Sequence, residues 1–182
     1  MRDSTEQALI ERCRAGNDEA FRELVDRYKN LVYGVVVRTV ADPSRADDLA
    51  QDVFLRVHRG LASFRGQSSL STWLFRITRN VCAEVRDQRQ FQRSLDELDD
   101  RGRRRTEPAV KDRAFADLEL RDRLDKALMQ LPPAARFLVS AHYLGGQKYE
   151  DLADVLGLPI GTVKTHLHRA KRRLRALLEE NL

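Results

Sequence analysis

The sequence predicts an all-α protein: two small helical domains joined by a polar linker, the C-terminal one containing a helix-turn-helix. Three observations lead there. Apolar residues recur at spacings of three and four along most of the 182-residue chain, and no alternating stretch is long enough for a strand. That periodicity lapses between about Gln90 and Asp117, where "DDRGRRRTEPAVKDR" has a Gly, a Pro and mixed charge but no apolar face. Near the C-terminus, "YEDLADVLGLPIGTVKTHLHRAKRRL" reads as a short helix, a turn at Gly157-Leu158-Pro159 and a second helix. The expected divisions are a first domain over 1–89, a linker over 90–117 and a second domain over 118–182.

The first helix is expected from about Thr5 to Ala15, with Leu9, Ile10 and Cys13 on one side and Gly16-Asn17 as its stop. Asp18 is the expected cap of a second helix, whose Phe21, Leu24, Val25, Tyr28, Leu31, Val32 and Val35 follow the helical period until Asp42-Pro43 breaks it. Ser44 followed by Asp47 resembles a capping box, with an acid in place of the usual Glu or Gln. The third helix it opens is striped by Ala46, Leu49, Ala50, Val53, Phe54 and Val57, shows Asp47, Asp48, Gln51 and Asp52 on its other side, and ends at Gly60. A polar loop, "SFRGQSSLS", leads to a fourth helix with Trp73, Leu74, Ile77, Val81 and Val85 as its buried stripe. Arg76, Arg79, Asn80, Arg86 and Arg89 are left largely outside that stripe. Beyond the linker, Leu118, Leu120, Leu124, Leu128 and Leu131 restore the period, Pro132-Pro133 interrupts it, and Ala135, Leu138, Val139 and Tyr143 carry it on to Gly145-Gly146.

Composition limits the function classes. A net charge of +5 is the difference between 33 bases and 28 acids, so the placement of each sign matters more than the total. No apolar run approaches the roughly 20 residues of a membrane span, and "MRDSTEQALIERCRAG" lacks the apolar core of a secretory signal, so a cytoplasmic protein without membrane insertion is expected. Cys13 and Cys82 lie far apart in periodic segments and are read as buried thiols. His166 and His168 point about 200° apart on a helix, so no metal is expected there, and no cofactor elsewhere.

The helix-turn-helix carries the strongest chemical signal. Six Lys or Arg stand between Thr162 and Arg175 with no acid among them, whereas the preceding helix holds Glu150, Asp151 and Asp154. At about 100° per residue, Val163, Leu167, Ala170 and Leu174 form one stripe, which places Thr165, His168, Arg169 and Arg172 opposite it with Lys164 and Arg175 flanking. Turn, core spacing and charge partition agree on a helix presented to a major groove, with Thr162 as its N-cap. In the N-terminal half, Arg76, Arg79, Asn80 and Arg86 surround Trp73 beside a loop bearing Phe64, Arg65 and Gln67. Basic groups, a polar loop and aromatics suit an unstacked strand, although Phe64 and Trp73 suit a core better.

The two blocks "ADDLAQDVFLRVHRGLASFRGQSSLSTWLFRITRN" and "LPPAARFLVSAHYLGGQKYEDLADVLGLPIGTVKTHLHRAKRRL" resemble a bacterial RNA polymerase sigma factor of the extracytoplasmic-function type, from roughly Thr5 to Leu178. The resemblance implies a first domain that binds the clamp-helix coiled coil of core RNA polymerase and melts the −10 element. It implies a second domain, next to the polymerase flap, that reads the −35 element. It assigns polymerase binding to Asp48, Gln51 and Asp52, and −10 contacts to the loop from Phe64 to Ser71, which bears Arg65 and Gln67, and to Asn80; the neighbouring basic Arg76 and Arg79 complete the expected −10 set. It assigns −35 contacts to Lys164, Thr165, His168 and Arg169, beside which Thr162 and Arg172 are expected from helix geometry. An anti-sigma factor is a common partner in the family. Gln67, Leu70 and His166 depart from the family's most frequent residues, which leaves the promoter sequence unspecified.

The resemblance also sets a length problem. The two promoter elements lie about two duplex turns, roughly 70 Å, apart. A free coil of about 25 residues has an r.m.s. span of only about 25 to 30 Å. The linker is therefore expected to be stretched along the polymerase when engaged. Two other readings of the chain are a stand-alone dimeric helix-turn-helix regulator, with Leu118 to Leu131 as the dimerising helix, and a metal-dependent nuclease built on Asp47, Asp48 and Asp52.

Overall fold

A computed structural model describes residues 4–85, 88–96 and 113–180, with helices and no strand among them. The helices are α1 (Ser4–Arg14), α2 (Asp18–Val40), α3 (Pro43–Leu61), α4 (Leu70–Glu84), α5 (Gln88–Arg93), α6 (Arg113–Met129), α7 (Pro133–Tyr143), α8 (Tyr149–Leu156) and α9 (Ile160–Glu180). Most of the expected linker, Arg86, and the side chains of Arg89 and Leu118 lie outside the described residues.

Helix positions follow the apolar period closely, but three caps differ from expectation. Asn17, not Asp18, caps α2, its side chain accepting the Ala20 amide at 2.9 Å. Asp42 caps α3 by accepting the Ser44 amide at 3.1 Å, with Pro43 in the first helical position where its missing N–H costs nothing. α9 opens at Ile160, since the Pro159 carbonyl already accepts Thr162 N at 2.9 Å and Val163 N at 3.1 Å, so Thr162 sits inside the first turn and is not the cap. The third helix runs one residue past Gly60, to Leu61. Cys82 is buried as expected, whereas Cys13 is only partly so.

The two halves share one buried core. α7 lies against α2, α8 against α4, and α5 bridges toward α7 through an edge-to-face pair of Phe91 and Phe137 with ring centroids 6.3 Å apart. This explains burial that a single helical stripe does not predict. In α4, Leu74 and Val81 face the N-terminal core, but Phe75, Thr78 and Cys82 on neighbouring faces are buried as well, while Trp73, Ile77 and Val85 remain partly open. In α7, residues 134 to 141 are all buried, Arg136 and Ser140 included. Gly145 permits the close approach: a Cβ there would stand 2.4 Å from Phe75 Cζ and 2.5 Å from the Ala141 carbonyl oxygen.

Arg136 ties the halves together. Its guanidinium donates to Thr39 O at 2.8 and 3.2 Å, to Met129 O at 2.9 Å and to Leu131 O at 3.1 Å. These carbonyls belong to the C-terminal ends of α2 and α6, where helices leave acceptors unsatisfied and favour a cation. One side chain of α7 thus caps two helices from different halves.

Candidate nucleic-acid interface and polymerase face

The helix-turn-helix is assembled from local rules. α8 ends at Gly157, whose φ of 66° is the left-handed conformation that glycine adopts without Cβ strain. Leu152, Val155 and Leu156 of α8 are buried with Val163, Leu167, Ala170 and Leu174 of α9, fixing the angle between the two helices. Lys164, Thr165, His168, Arg169 and Arg172 are exposed on the outer side of α9, and Thr162 is half-buried beside them. Thr165 donates to the Gly161 carbonyl at 2.9 Å, which commits its hydroxyl proton and leaves the oxygen able to accept. The Lys164 ammonium lies 5.6 Å from the centre of the Tyr149 ring, which in turn stacks on His142 at 5.1 Å. His166 points the other way and is buried; burial pushes it below its ordinary pKa, the Asp96 carboxylate opposing and the Arg169 guanidinium reinforcing that shift.

The N-terminal candidate surface is only partly open. Arg65, Gln67 and Arg76 are exposed around the start of α4. Phe64 is not available in this arrangement: it is 6% exposed and packs on Trp73 with ring centroids 4.9 Å apart. Arg79 is half-buried, its guanidinium 5.8 Å from the Phe91 ring centre and donating to Asn80 Oδ1 at 3.0 Å, so it does not stand free on the outer face as the period implied. Ser69 caps α4 by accepting the Thr72 amide at 3.0 Å.

Across α3, Asp48 and Gln51 are solvent-exposed, while Asp52 is engaged. Arg56, four residues on, bonds Asp52 at 2.9 Å and forks onto both carboxylate oxygens of Glu84 in α4 at 2.6 Å each. These contacts raise the Arg56 pKa and hold the Glu84 carboxyl below its ordinary range. Arg56 and Glu84 were not singled out from sequence; the i,i+4 spacing of Asp52 and Arg56 was the available signal.

A groove of about 730 Å³ runs between α6, α7, α9 and the end of α2. Leu120, Leu124 and Tyr143 line it with substantial exposure, together with Lys171, Arg175, Glu179 and Arg38, the last paired with Asp125 at 3.0 Å. No helix among the described residues is long and apolar enough to cross a membrane, and no three His, Cys, Asp or Glu among them are grouped to hold a metal ion.

Known proteins match both halves. The Sigma-70 region 2 family model matches residues 24–91, and the Sigma-70 region 4 model matches residues 121–174. The RNA polymerase sigma-H factor of Pseudomonas aeruginosa is 32% identical over 96% of this chain and 94% of its own length. The ECF RNA polymerase sigma-E factor of Haemophilus influenzae is 31% identical over 93% of each chain. Among solved structures, CnrH in complex with the cytosolic domain of CnrY is 25% identical, superposes with a TM-score of 0.71, and is matched over 97% of this chain and 99% of that one. The sigma factor RpoE bound to the anti-sigma factor NepR of Bartonella quintana is 27% identical with a TM-score of 0.65, over 89% and 98% of the two chains. With likeness running through both halves and along more than nine-tenths of named relatives, the chain belongs to the extracytoplasmic-function sigma factors of RNA polymerase.

Proposed function

We propose that this chain is an alternative sigma factor that works in the cytoplasm, docks on core RNA polymerase and directs it to particular promoters, with the chemistry left to the polymerase. The observation that carries the reading is likeness to named sigma factors along nearly the whole chain, which accounts for both surfaces at once. Residues 1–89 dock and engage the −10 element, 90–117 connect, and 118–182 read the −35 element. Asp48 and Gln51 are the solvent-ready part of the polymerase face, and Asp52 contributes through its bridge to Arg56. Lys164, Thr165, His168, Arg169 and Arg172 form the −35 surface, with Thr162 at its edge. Arg65, Gln67, Arg76 and Asn80 form the −10 surface, joined by Phe64 once its ring leaves Trp73.

Of the two solved neighbours described above, one is bound to the cytosolic domain of CnrY and the other to the anti-sigma factor NepR. The apolar groove, with Lys171 and Arg175 beside it, fits the apolar face of an amphipathic helix of an anti-sigma partner.

Transcription reconstituted from this chain, bacterial core polymerase and a promoter library tests the reading. It predicts selection of a shared two-part promoter, protection of that DNA only with core present, and loss of both by Asp48→Arg without loss of helicity. Sequence-specific protection by the free chain at physiological salt points instead to a dimeric regulator.

A further inference from the structure

α8 meets α4 in a seam between the halves, where Asp151 accepts from the Thr72 hydroxyl at 2.8 Å and Gln147 Nε2 donates to Ser71 Oγ at 2.7 Å. Its first residue, Tyr149, engages its own half instead. Tyr149 stands one helical turn before the buried Leu152 yet stays 37% exposed, so core packing does not account for its ring. The neighbours of that ring are polar. His142 of α7 stacks on it with centroids 5.1 Å apart and planes 19° from parallel, and the Lys164 ammonium of α9 lies 5.6 Å from its centre. His142 is itself fixed: its Nδ1 lies 2.7 Å from the Gln147 carbonyl, which only accepts, so Nδ1 carries the proton, and Tyr143 meets the same ring at 4.8 Å in a T-shaped pair. A backbone carbonyl thus holds His142, His142 backs Tyr149, and Tyr149 fronts Lys164.

Lys164 is exposed, and a lysine that is free in solvent loses rotamer freedom when it binds. An ammonium drawn onto an aromatic ring keeps its charge while giving up part of that freedom in advance. The contact also decides where the charge stands. In a helix-turn-helix the first helix crosses the DNA backbone and the second enters the groove. Lys164, held against the first residue of α8, is therefore set at the backbone edge of the reading surface, apart from His168 and Arg169 about one turn further along α9.

We infer that Tyr149 is a positioning residue for the −35 element: its ring holds the Lys164 ammonium at the α8 edge, where it meets a phosphate and not a base. This rests on the function proposed above. The ring performs the task and the hydroxyl does not, which separates positioning from a direct contact between Tyr149 and DNA.

The test is competition binding of the reconstituted holoenzyme to the promoter duplex it selects and to duplexes carrying each single base-pair change in the −35 element. Tyr149→Leu and Tyr149→Phe are compared with wild type, alone and combined with Lys164→Ala, each checked for unchanged helicity. Tyr149→Leu should weaken binding by about two- to fivefold, evenly over all the duplexes, whereas Tyr149→Phe, which keeps the ring, should bind like wild type. Lys164→Ala should weaken all duplexes evenly, lower the slope of log affinity against log salt by about one, and make Tyr149→Leu silent. Equal losses from the Leu and Phe variants would assign the effect to the hydroxyl and overturn the inference. A Tyr149→Leu loss that persists beside Lys164→Ala would overturn it too, as would a Lys164→Ala loss confined to one base pair. Unchanged binding by Tyr149→Leu, with wild-type holoenzyme still selecting its promoter, would overturn the inference while leaving the sigma function intact. A wild-type holoenzyme that selects no promoter would overturn both.

Discussion

The outer face of α9 and the start of α4 are both proposed to meet promoter DNA, yet α9 shows its basic groups to solvent while α4 begins under the other half of the molecule. The difference lies in what determines each exposure. On α9, the apolar stripe of Val163, Leu167, Ala170 and Leu174 turns the basic groups outward through helix geometry alone. At α4, accessibility is decided by tertiary contacts from residues 75 to 80 positions away in the chain. A surface controlled by its own helix is always ready, whereas one controlled by a distant partner can be switched.

Removing the seam's apolar anchor should have the largest effect. Phe75 is 1% exposed and faces Gly145 across the seam. Phe75→Ala should lower unfolding free energy by about 3 to 5 kcal/mol, read from urea denaturation. A loss below about 1 kcal/mol would mean that the seam contributes little to the fold. Arg136→Met comes next: it leaves the Thr39, Met129 and Leu131 carbonyls without their donor. It should cost about 2 to 4 kcal/mol by the same measurement. On the open side, Arg169→Ala should weaken holoenzyme binding by about 1 to 3 kcal/mol at a single base pair if the contact is bidentate to guanine. An even loss over all sequences assigns Arg169 to phosphate instead.

The smallest expected effect belongs to His166, on the covered side of α9. Its folded pKa is lowered, so as pH drops below about 6.5 the unfolded chain takes up a proton before the folded one does. Stability should therefore decline from pH 7 toward 5.5, and His166→Gln should flatten that slope in urea midpoints measured across the range. An identical slope in the variant removes His166 from the account.

Much of this was legible in the sequence, and the limits are physical. The helix-turn-helix could be read because its turn, apolar stripe and charge partition all lie within about one motif length. Asp48 and Gln51 could be placed on an exposed face for the same reason. The caps were misplaced by one to three residues at Asp18, Ser44 and Thr162, where Asn17, Asp42 and Pro159 take the role. The seam was not legible at all. Nothing local in "AARFLVSAHY" marks Arg136 as a buried donor to three carbonyls, and Phe75 and Thr78 fall off the stripe that α4 shows to its own half. Burial on a second face arises only when another part of the chain arrives, so Arg79 was read as more open than it is, whereas the core reading of Phe64 needed only its own half.

The central claim is that the free chain is closed and opens on polymerase to span a promoter. Spin labels at Arg59→Cys and Asp154→Cys, both exposed sites, measure that directly in a Cys13→Ser background. Cys82, 2% exposed and with its thiol pushed up to about 12, stays outside the labelling. Pulsed electron resonance should give one short distance for the free chain and a distance longer by at least about 20 Å for the holoenzyme on its promoter. The same short distance in the transcribing holoenzyme would contradict the account.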